Sequence, residues 1–201
     1  MMRVCQGANV VRGIDVSRWQ GKLDWTAEKA SGVEFAFTKA TEGLTINDST
    51  FQYNWAGLKT VGVMRGAYHF FHPGLNALNQ AEYFCNTVGS LQKGDLPLML
   101  DWESTDGVPS SSDKEDGFTF LQAVEHFSKK TPIIYTGPYF AQALSLDERF
   151  AKYPLFVAHY GVRCPLVPEP WKNWTFWQYS GTGIDHDLFN GILDQLKVMC
   201  I

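Results

Sequence analysis

The 201-residue chain reads as one α/β domain, residues 1–201, folded as an incomplete (β/α) barrel with eight strands and about five helices. Three observations point there. Short apolar runs recur along the chain, several of them continuous, as in strands buried on both faces. Amphipathic stretches separate the early runs, and strand–helix alternation implies parallel strands joined by right-handed crossovers. After about residue 150 the helical signal fades and strands dominate, so the outer coat of helices is incomplete.

The first strand is Val11–Val16, and Asp24 then caps a helix over Trp25–Ala30. Phe35–Lys39 is the second strand, and Asp48 or Ser49 caps a helix running through Thr60. Val61–Phe71 is the third strand, followed by a helix over Leu75–Thr87. The fourth, Leu96–Trp102, leads to a helix over Ser112–Lys129, where Ser112 and Glu115 have the spacing of a capping box. Ile133–Thr136 precedes a shorter helix over Pro138–Ser145. Leu155–Tyr160, Thr175–Tyr179 and Ile184–Leu188 complete the strands. A doubly wound open sheet is the competing fold. No Gly-x-Gly-x-x-Gly follows the first strand and no P-loop occurs, so nucleotide binding has little support.

Composition narrows the function. With 17 Lys+Arg against 21 Asp+Glu, the net charge is −4. Nucleic acid is not an expected partner, because phosphate binding needs a basic face. No apolar run approaches the ~20 residues of a membrane span, so no membrane insertion is expected. The opening residues, Met1 to Asn9, contain no apolar core of a signal peptide, and none is expected in this chain. Cysteines stand at 5, 85, 164 and 200, too scattered for a Cys-x-x-Cys metal or redox motif. Four free thiols are the expectation. A Cys5–Cys200 bridge is the alternative, since chain ends often lie close together.

In parallel barrels the chemistry sits at the C-terminal ends of the strands. Asp15 ends the first strand, Asp101 and Glu103 end the fourth, and Asp185 lies in the last. These carboxylates could converge on one mouth. Asp101 and Glu103 carry the strongest signal, since residues i and i+2 share a strand face about 6.6–7 Å apart. Two same-side acids ending an apolar run are costly to bury without partners. Like charges this close hold one proton between them, the pairing that glycoside hydrolysis needs. A salt-bridged pair is the structural alternative. Asp15, before Ser17, could also simply cap a turn, and local pattern does not choose between Asp185 and Asp187. Tyr160, Trp174, Trp177 and Tyr179 either fill the barrel or form a platform for sugars. His69 and His72 are three apart, without a common face for a metal.

Several segments together resemble glycoside hydrolase family 25, the Chalaropsis-type lysozymes. Gly13-Ile14-Asp15-Val16-Ser17-Arg18-Trp19-Gln20-Gly21 resembles the opening signature. Phe35–Gly43 and Gly66-Ala67-Tyr68-His69-Phe70-Phe71 resemble the second- and third-strand motifs. Leu100-Asp101-Trp102-Glu103 resembles the Asp-x-Glu catalytic motif. Tyr135–Pro138, Phe156–Tyr160 and Phe176–Ser180 follow in the family's order. Ile184-Asp185-His186-Asp187-Leu188-Phe189-Asn190-Gly191 resembles the closing Val-Asp-Leu-Asn-x-Phe-Asn-Gly, with His186 for Leu and Asp187 for Asn. The likeness covers about residues 12–191.

The resemblance implies a flattened barrel and cleavage of the β-1,4 bond between N-acetylmuramic acid and N-acetylglucosamine. Carried over by position, it makes Glu103 the general acid/base and Asp101 the assisting carboxylate. Asp15 and Asp185 complete the acidic cluster, and the closing motif selects Asp185 over Asp187. Tyr68, Phe70, Tyr135, Tyr160, Trp177 and Gln178 are the expected substrate-binding residues. No cofactor and no metal are implied. The implied partner is bacterial peptidoglycan, met by a monomer. A phage endolysin held in the host cytoplasm until lysis is one expected setting, and a secreted enzyme is the other. A non-catalytic peptidoglycan-binding module or a phage-particle component would be the alternative function. Because Asp101 and Glu103 leave one face of one strand, substrate-assisted retaining catalysis is expected over direct attack by a carboxylate.

Overall fold

The computed structural model describes residues 1–108 and 110–200. Its strands are β1 (Met2–Arg3), β2 (Val11–Val16), β3 (Phe35–Glu42), β4 (Ile46–Asn47), β5 (Met64–Phe70), β6 (Met99–Asp101), β7 (Ile133–Thr136), β8 (Leu155–Ala158), β9 (Leu166–Val167), β10 (Phe176–Ser180) and β11 (Asp185–Phe189). The helices are α1 (Trp25–Ala30), α2 (Phe51–Val61), α3 (Ala77–Val88), α4 (Ser110–Ser128), α5 (Pro138–Leu144) and α6 (Leu193–Met199). Around the main sheet the order is β2, β11, β10, β8, β7, β6, β5, β3, and β2 also pairs with β3. The ring of eight strands is therefore closed by hydrogen bonds. It is the helical coat that is incomplete, as expected.

One strand departs from the expected parallel pattern. β11 runs antiparallel to both neighbours, β10 and β2. The reason is the connection. Only residues 181–184 separate β10 from β11, with Gly183 at φ 82°. A parallel crossover needs a dozen or more residues, whereas a short turn makes a hairpin. This hairpin carries the first residue of β11, rather than its last, to the mouth of the barrel.

Local signals place most helices. Asp24 Oδ1 accepts from the Thr26 and Ala27 amides at 3.0 and 3.1 Å, capping α1. α2 starts slightly later than predicted. Asp48 instead builds a turn before it, accepting from the Thr50 amide and hydroxyl at 2.9 and 2.7 Å. α4 begins at Ser110, so Ser112 lies inside the first turn, and Glu115 accepts from Arg149 rather than joining a capping box. α6 and the short β1–β9 ladder were not anticipated.

That ladder corrects the cysteine reading. Arg3 pairs with Leu166, and the Val4 amide donates to Pro165 O at 3.1 Å. Cys5 is thereby laid beside Cys164, and the two form a disulfide. Cys85 and Cys200 are free thiols. Cys200 follows α6 and packs near Val11 and Leu196, away from Cys5.

Below the mouth, phenylalanine fills the barrel. Phe176 packs against Phe35, Phe37 and Phe156 with ring centroids 5.2, 5.6 and 5.3 Å away. Glycine on neighbouring strands makes the room. A Cβ on Gly13 would stand 2.3 Å from the Phe35 ring, and one on Gly66 would stand 2.2 Å from the Phe37 ring. A second core lies outside the barrel under α3 and α4, where Trp102 Nε1 donates to the buried Asp113 at 2.8 Å. This aromatic plug is the floor on which the polar side chains of the mouth stand.

Candidate active site

A cleft of about 190 Å³ opens above this floor, lined by Asp15, Tyr68, Met99, Asp101, Glu103, Tyr135, Tyr160, Gln178 and Asp185. Register explains the convergence. Asp15 at the end of β2 is directly opposite Asp185 at the start of β11. Asp101 at the end of β6 is paired with Tyr135 on β7. The Trp102 amide still bonds Tyr135 O at 2.9 Å, so the chain stays extended and delivers Glu103 one step further out. Alternation keeps Asp101 and Glu103 on the cleft side and turns Trp102 into the outer core.

A polar wall holds Asp15. Tyr135 Oη donates to Gln178 Oε1 at 2.7 Å, and Tyr160 Oη donates to the same oxygen. With its carbonyl so engaged, the Gln178 amide points its Nε2 at Asp15 Oδ2, 2.5 Å away.

The acids are held in their uncharged forms to different degrees. Burial, then the neighbouring Asp185, pushes Asp15 up to about 8. Burial raises Asp101 well above the carboxylate range, and Glu103 adds to the shift while Lys39 opposes it. Burial raises Glu103 as well, with Lys39 opposing and Asp185 reinforcing. Asp185 is raised by partial burial. Asp101 and Glu103 therefore titrate as a pair holding one proton. Asp101 is 7% exposed and its Oδ1 has no hydrogen-bond partner, whereas Glu103 is open to solvent. Burial accordingly raises Asp101 further than Glu103.

Two predicted substrate-binding residues lie elsewhere. Trp177 alternates with Phe176 and Gln178 and so faces outward. It packs on Trp174 at 5.8 Å and donates to His159 O at 2.9 Å. Trp174 is buried with it, and Tyr179 stacks on His186, so these rings form outer core and rim rather than a sugar platform. Phe70 does not line the cleft. Its ring lies beneath Lys39, 4.7 Å from Nζ. Exposed rings do occur at the mouth end: Trp19 after β2, Tyr139 in the first turn of α5 and Tyr160 after β8.

Lys39 is a site residue that the sequence reading missed. It is 9% exposed, paired with Glu42 at 2.7 Å, and its charge bears on both Asp101 and Glu103. The available signal was a cation inside the apolar run Phe35–Ala40. Beside it, His72 bridges Glu42 and Asp106 at 3.2 and 2.5 Å, tying the loop after Glu103 to the ends of β3 and β5. His69 faces the other way. It is neutral, with its pKa lowered to about 3 by burial, and it bonds Thr41 and Gln80. Among the described residues, no three His, Cys, Asp or Glu side chains are grouped to hold a metal ion.

Comparison with known proteins gives the family. The chain is 35% identical over 208 residues to Lysozyme M1 of Streptomyces globisporus, covering 94% of this chain and 71% of that protein. It is 31% identical to the N,O-diacetylmuramidase of a Chalaropsis species, over 93% and 97% of the two chains. The crystal structure of a lysozyme from Streptomyces coelicolor superposes with a TM-score of 0.91 at 33% identity, over 96% of this chain and 98% of that one. Residues 14–188 match the profile of glycosyl hydrolases family 25. The chain belongs to that family.

Proposed function

We propose that this glycoside hydrolase is a muramidase that cleaves the β-1,4 bond between N-acetylmuramic acid and N-acetylglucosamine in bacterial peptidoglycan. The observation that carries the reading is one open carboxyl, Glu103, beside a buried one, Asp101, in a cleft lined by four acids. Glu103 is the general acid, and Asp101 accepts the N–H of the sugar's acetamido group. That N–H favours the ionised form of Asp101, while the bound glycan takes water from Glu103 and favours its protonated form. Substrate binding therefore moves the shared proton from Asp101 to Glu103, where the leaving oxygen needs it.

The acetamido carbonyl oxygen then attacks the anomeric carbon as Glu103 protonates the departing glycosidic oxygen. The Glu103 carboxylate next takes a proton from water as that water opens the cyclic intermediate, so the configuration is retained. Asp15 and Asp185 sit across the cleft and stabilise positive charge developing on the sugar ring. Tyr68, Tyr135, Tyr160 and Gln178 shape the walls that orient it. The Cys5–Cys164 bridge supports action in an oxidising compartment.

Clearing of purified peptidoglycan with reducing-end analysis tests the reading. Wild-type protein releases new N-acetylmuramic acid reducing ends, and Glu103→Gln loses on the order of 10²–10⁴-fold in rate. Clearing by Glu103→Gln near the wild-type rate would assign the acid elsewhere.

A further inference from the structure

One buried acid has no part in the reaction just described. Asp187 lies two residues along β11 from Asp185, on the same strand face, and one step deeper in the barrel. Across the antiparallel pairs it is opposite Gln178 on β10 and Gly13 on β2. It is 0% exposed, and among the described residues no N–H or O–H donor reaches either carboxylate oxygen. The side chain diagonally next to it on β2 is another acid, Asp15, two residues beyond Gly13 on the same strand face. The charges bearing on it are negative: Asp15 from β2 and Asp185 from its own strand. Gln178, facing it from β10, is uncharged. Glu103 and Asp101 reach it only through Asp15, and Lys39 bears on Asp101 and Glu103 from β3.

Two carboxyl groups can hydrogen-bond only when one carries a proton. We propose that Asp187 is a positioning residue that acts through Asp15: its carboxyl donates the hydrogen bond that, with the Gln178 amide on the other side, fixes Asp15 as an acceptor facing the cleft. Asp15 then has one donor from each neighbouring strand of the hairpin, Gln178 from β10 and Asp187 from β11. A glycine opposite, at position 13, leaves the Asp187 side chain no partner on β2 other than Asp15. Burial holds Asp187 well above the ordinary carboxylate range, consistent with its being the donor. The inference rests on the muramidase reading for its kinetic consequence, but not for its protonation claim.

The test uses the full chain with ¹³C-labelled aspartate carboxyls, and two variants. In NMR titration, the set of carboxyl resonances that stay in their protonated position through neutral pH loses one member in Asp187→Asn. Asp187→Leu removes the donor and lowers kcat roughly tenfold with little change in KM, as for loss of one buried hydrogen bond. Asp187→Asn keeps an N–H donor toward Asp15 and recovers kcat to within about threefold of wild type. An Asp187 carboxyl ionised at neutral pH would overturn the proposal. So would a folded Asp187→Leu with wild-type kcat, or an Asp187→Asn as slow as Asp187→Leu. Should Asp187→Leu fail to fold, the resonance and the Asn variant decide. Failure of the muramidase reading would show separately, as wild-type protein that releases no reducing ends while the resonance behaves as stated.

Discussion

Replacing Asp101 with Asn tests the coupling at the centre of the site. The substitution keeps size and shape and removes a carboxyl that is 7% exposed. In the wild-type protein the second proton leaves the Asp101–Glu103 pair against the charge left by the first. Side chains at i and i+2 of an extended chain are roughly 6.8 Å apart. At an effective dielectric of about 20, unit charges at that separation repel by about 2.4 kcal/mol. That repulsion holds the last ionisation of the pair above where Glu103 alone would titrate. Lys39, paired with Glu42, stays in both proteins, so its opposing effect cancels in the comparison. The alkaline limb of the kcat/KM profile should therefore move to lower pH in Asp101→Asn. The maximum rate should also fall, because the acetamido group loses its anionic partner. The assay is peptidoglycan solubilisation across pH at substrate concentrations well below KM. An alkaline limb in the same place, with the rate lowered or not, would refute the shared proton.

Further outcomes follow from other parts of the structure. Gln178→Leu removes both the amide on Asp15 and the acceptor for Tyr135 and Tyr160; a loss of kcat of roughly tenfold or more is expected from one unmade buried hydrogen bond, and unchanged kinetics would count against the wall. The pKa of Asp15 rises from 3.8 to about 8 on folding, so between those values the native state holds a proton that the unfolded chain has released. Stability then falls as pH rises through that window and levels above it, and Asp15→Asn flattens the slope of Tm against pH. Reduction of Cys5–Cys164, which closes 159 residues of sequence separation, should cost about 2–5 kcal/mol and be read as a lowered Tm in thiol. Trp19→Ala, removing a ring that is 80% exposed at the mouth end, should raise KM a few-fold with kcat unchanged, as expected for about 0.5–1.5 kcal/mol of stacking. NMR of fresh product should show the β-anomer first, and mass spectrometry of quenched enzyme should show no glycosyl adduct; an adduct on Asp15, Asp101 or Asp185 would sink the assisted mechanism.

The strands were legible because burial on both faces leaves continuous apolar runs, and seven of them lie where such runs predict parallel partners. The direction of β11 was not, since apolar content says nothing about polarity; the shortness of the stretch between Tyr179 and Ile184 was the clue to a hairpin. Helix α6 escaped because it is seven residues long and only Leu196 of it is buried, too brief a period to stand out. Face assignment failed for Trp177 for the same reason that it worked for Asp101. Alternation separates neighbours, but an aromatic run does not reveal which member faces the ligand until a polar residue such as Gln178 marks the cleft side. The disulfide was hidden because it depends on a two-residue ladder, β1 with β9, that no local pattern announces. Lys39 looked like an interruption of an apolar strand, and its meaning appears only when the acids it faces are placed.

The hairpin that breaks the parallel pattern sets two acids of one strand in successive layers of the mouth. β11 enters the mouth from the other direction, so Asp185 stands at the surface of the cluster and Asp187 below it, still above Phe189, which packs on Phe176 at 5.3 Å. On the proposal above, Asp15 has a donor beside it in Gln178 and one beneath it in Asp187, and it lines the cleft on its open side. Such an arrangement is destabilising in isolation, since buried acids without cations oppose folding. It persists here over a closed, phenylalanine-filled barrel that leaves the mouth little freedom to relax. Burial raises the pKa of each acid in the cleft, so on the proposed mechanism donors and positive charge brought by a glycan would favour their ionised forms, the differential stabilisation that catalysis requires.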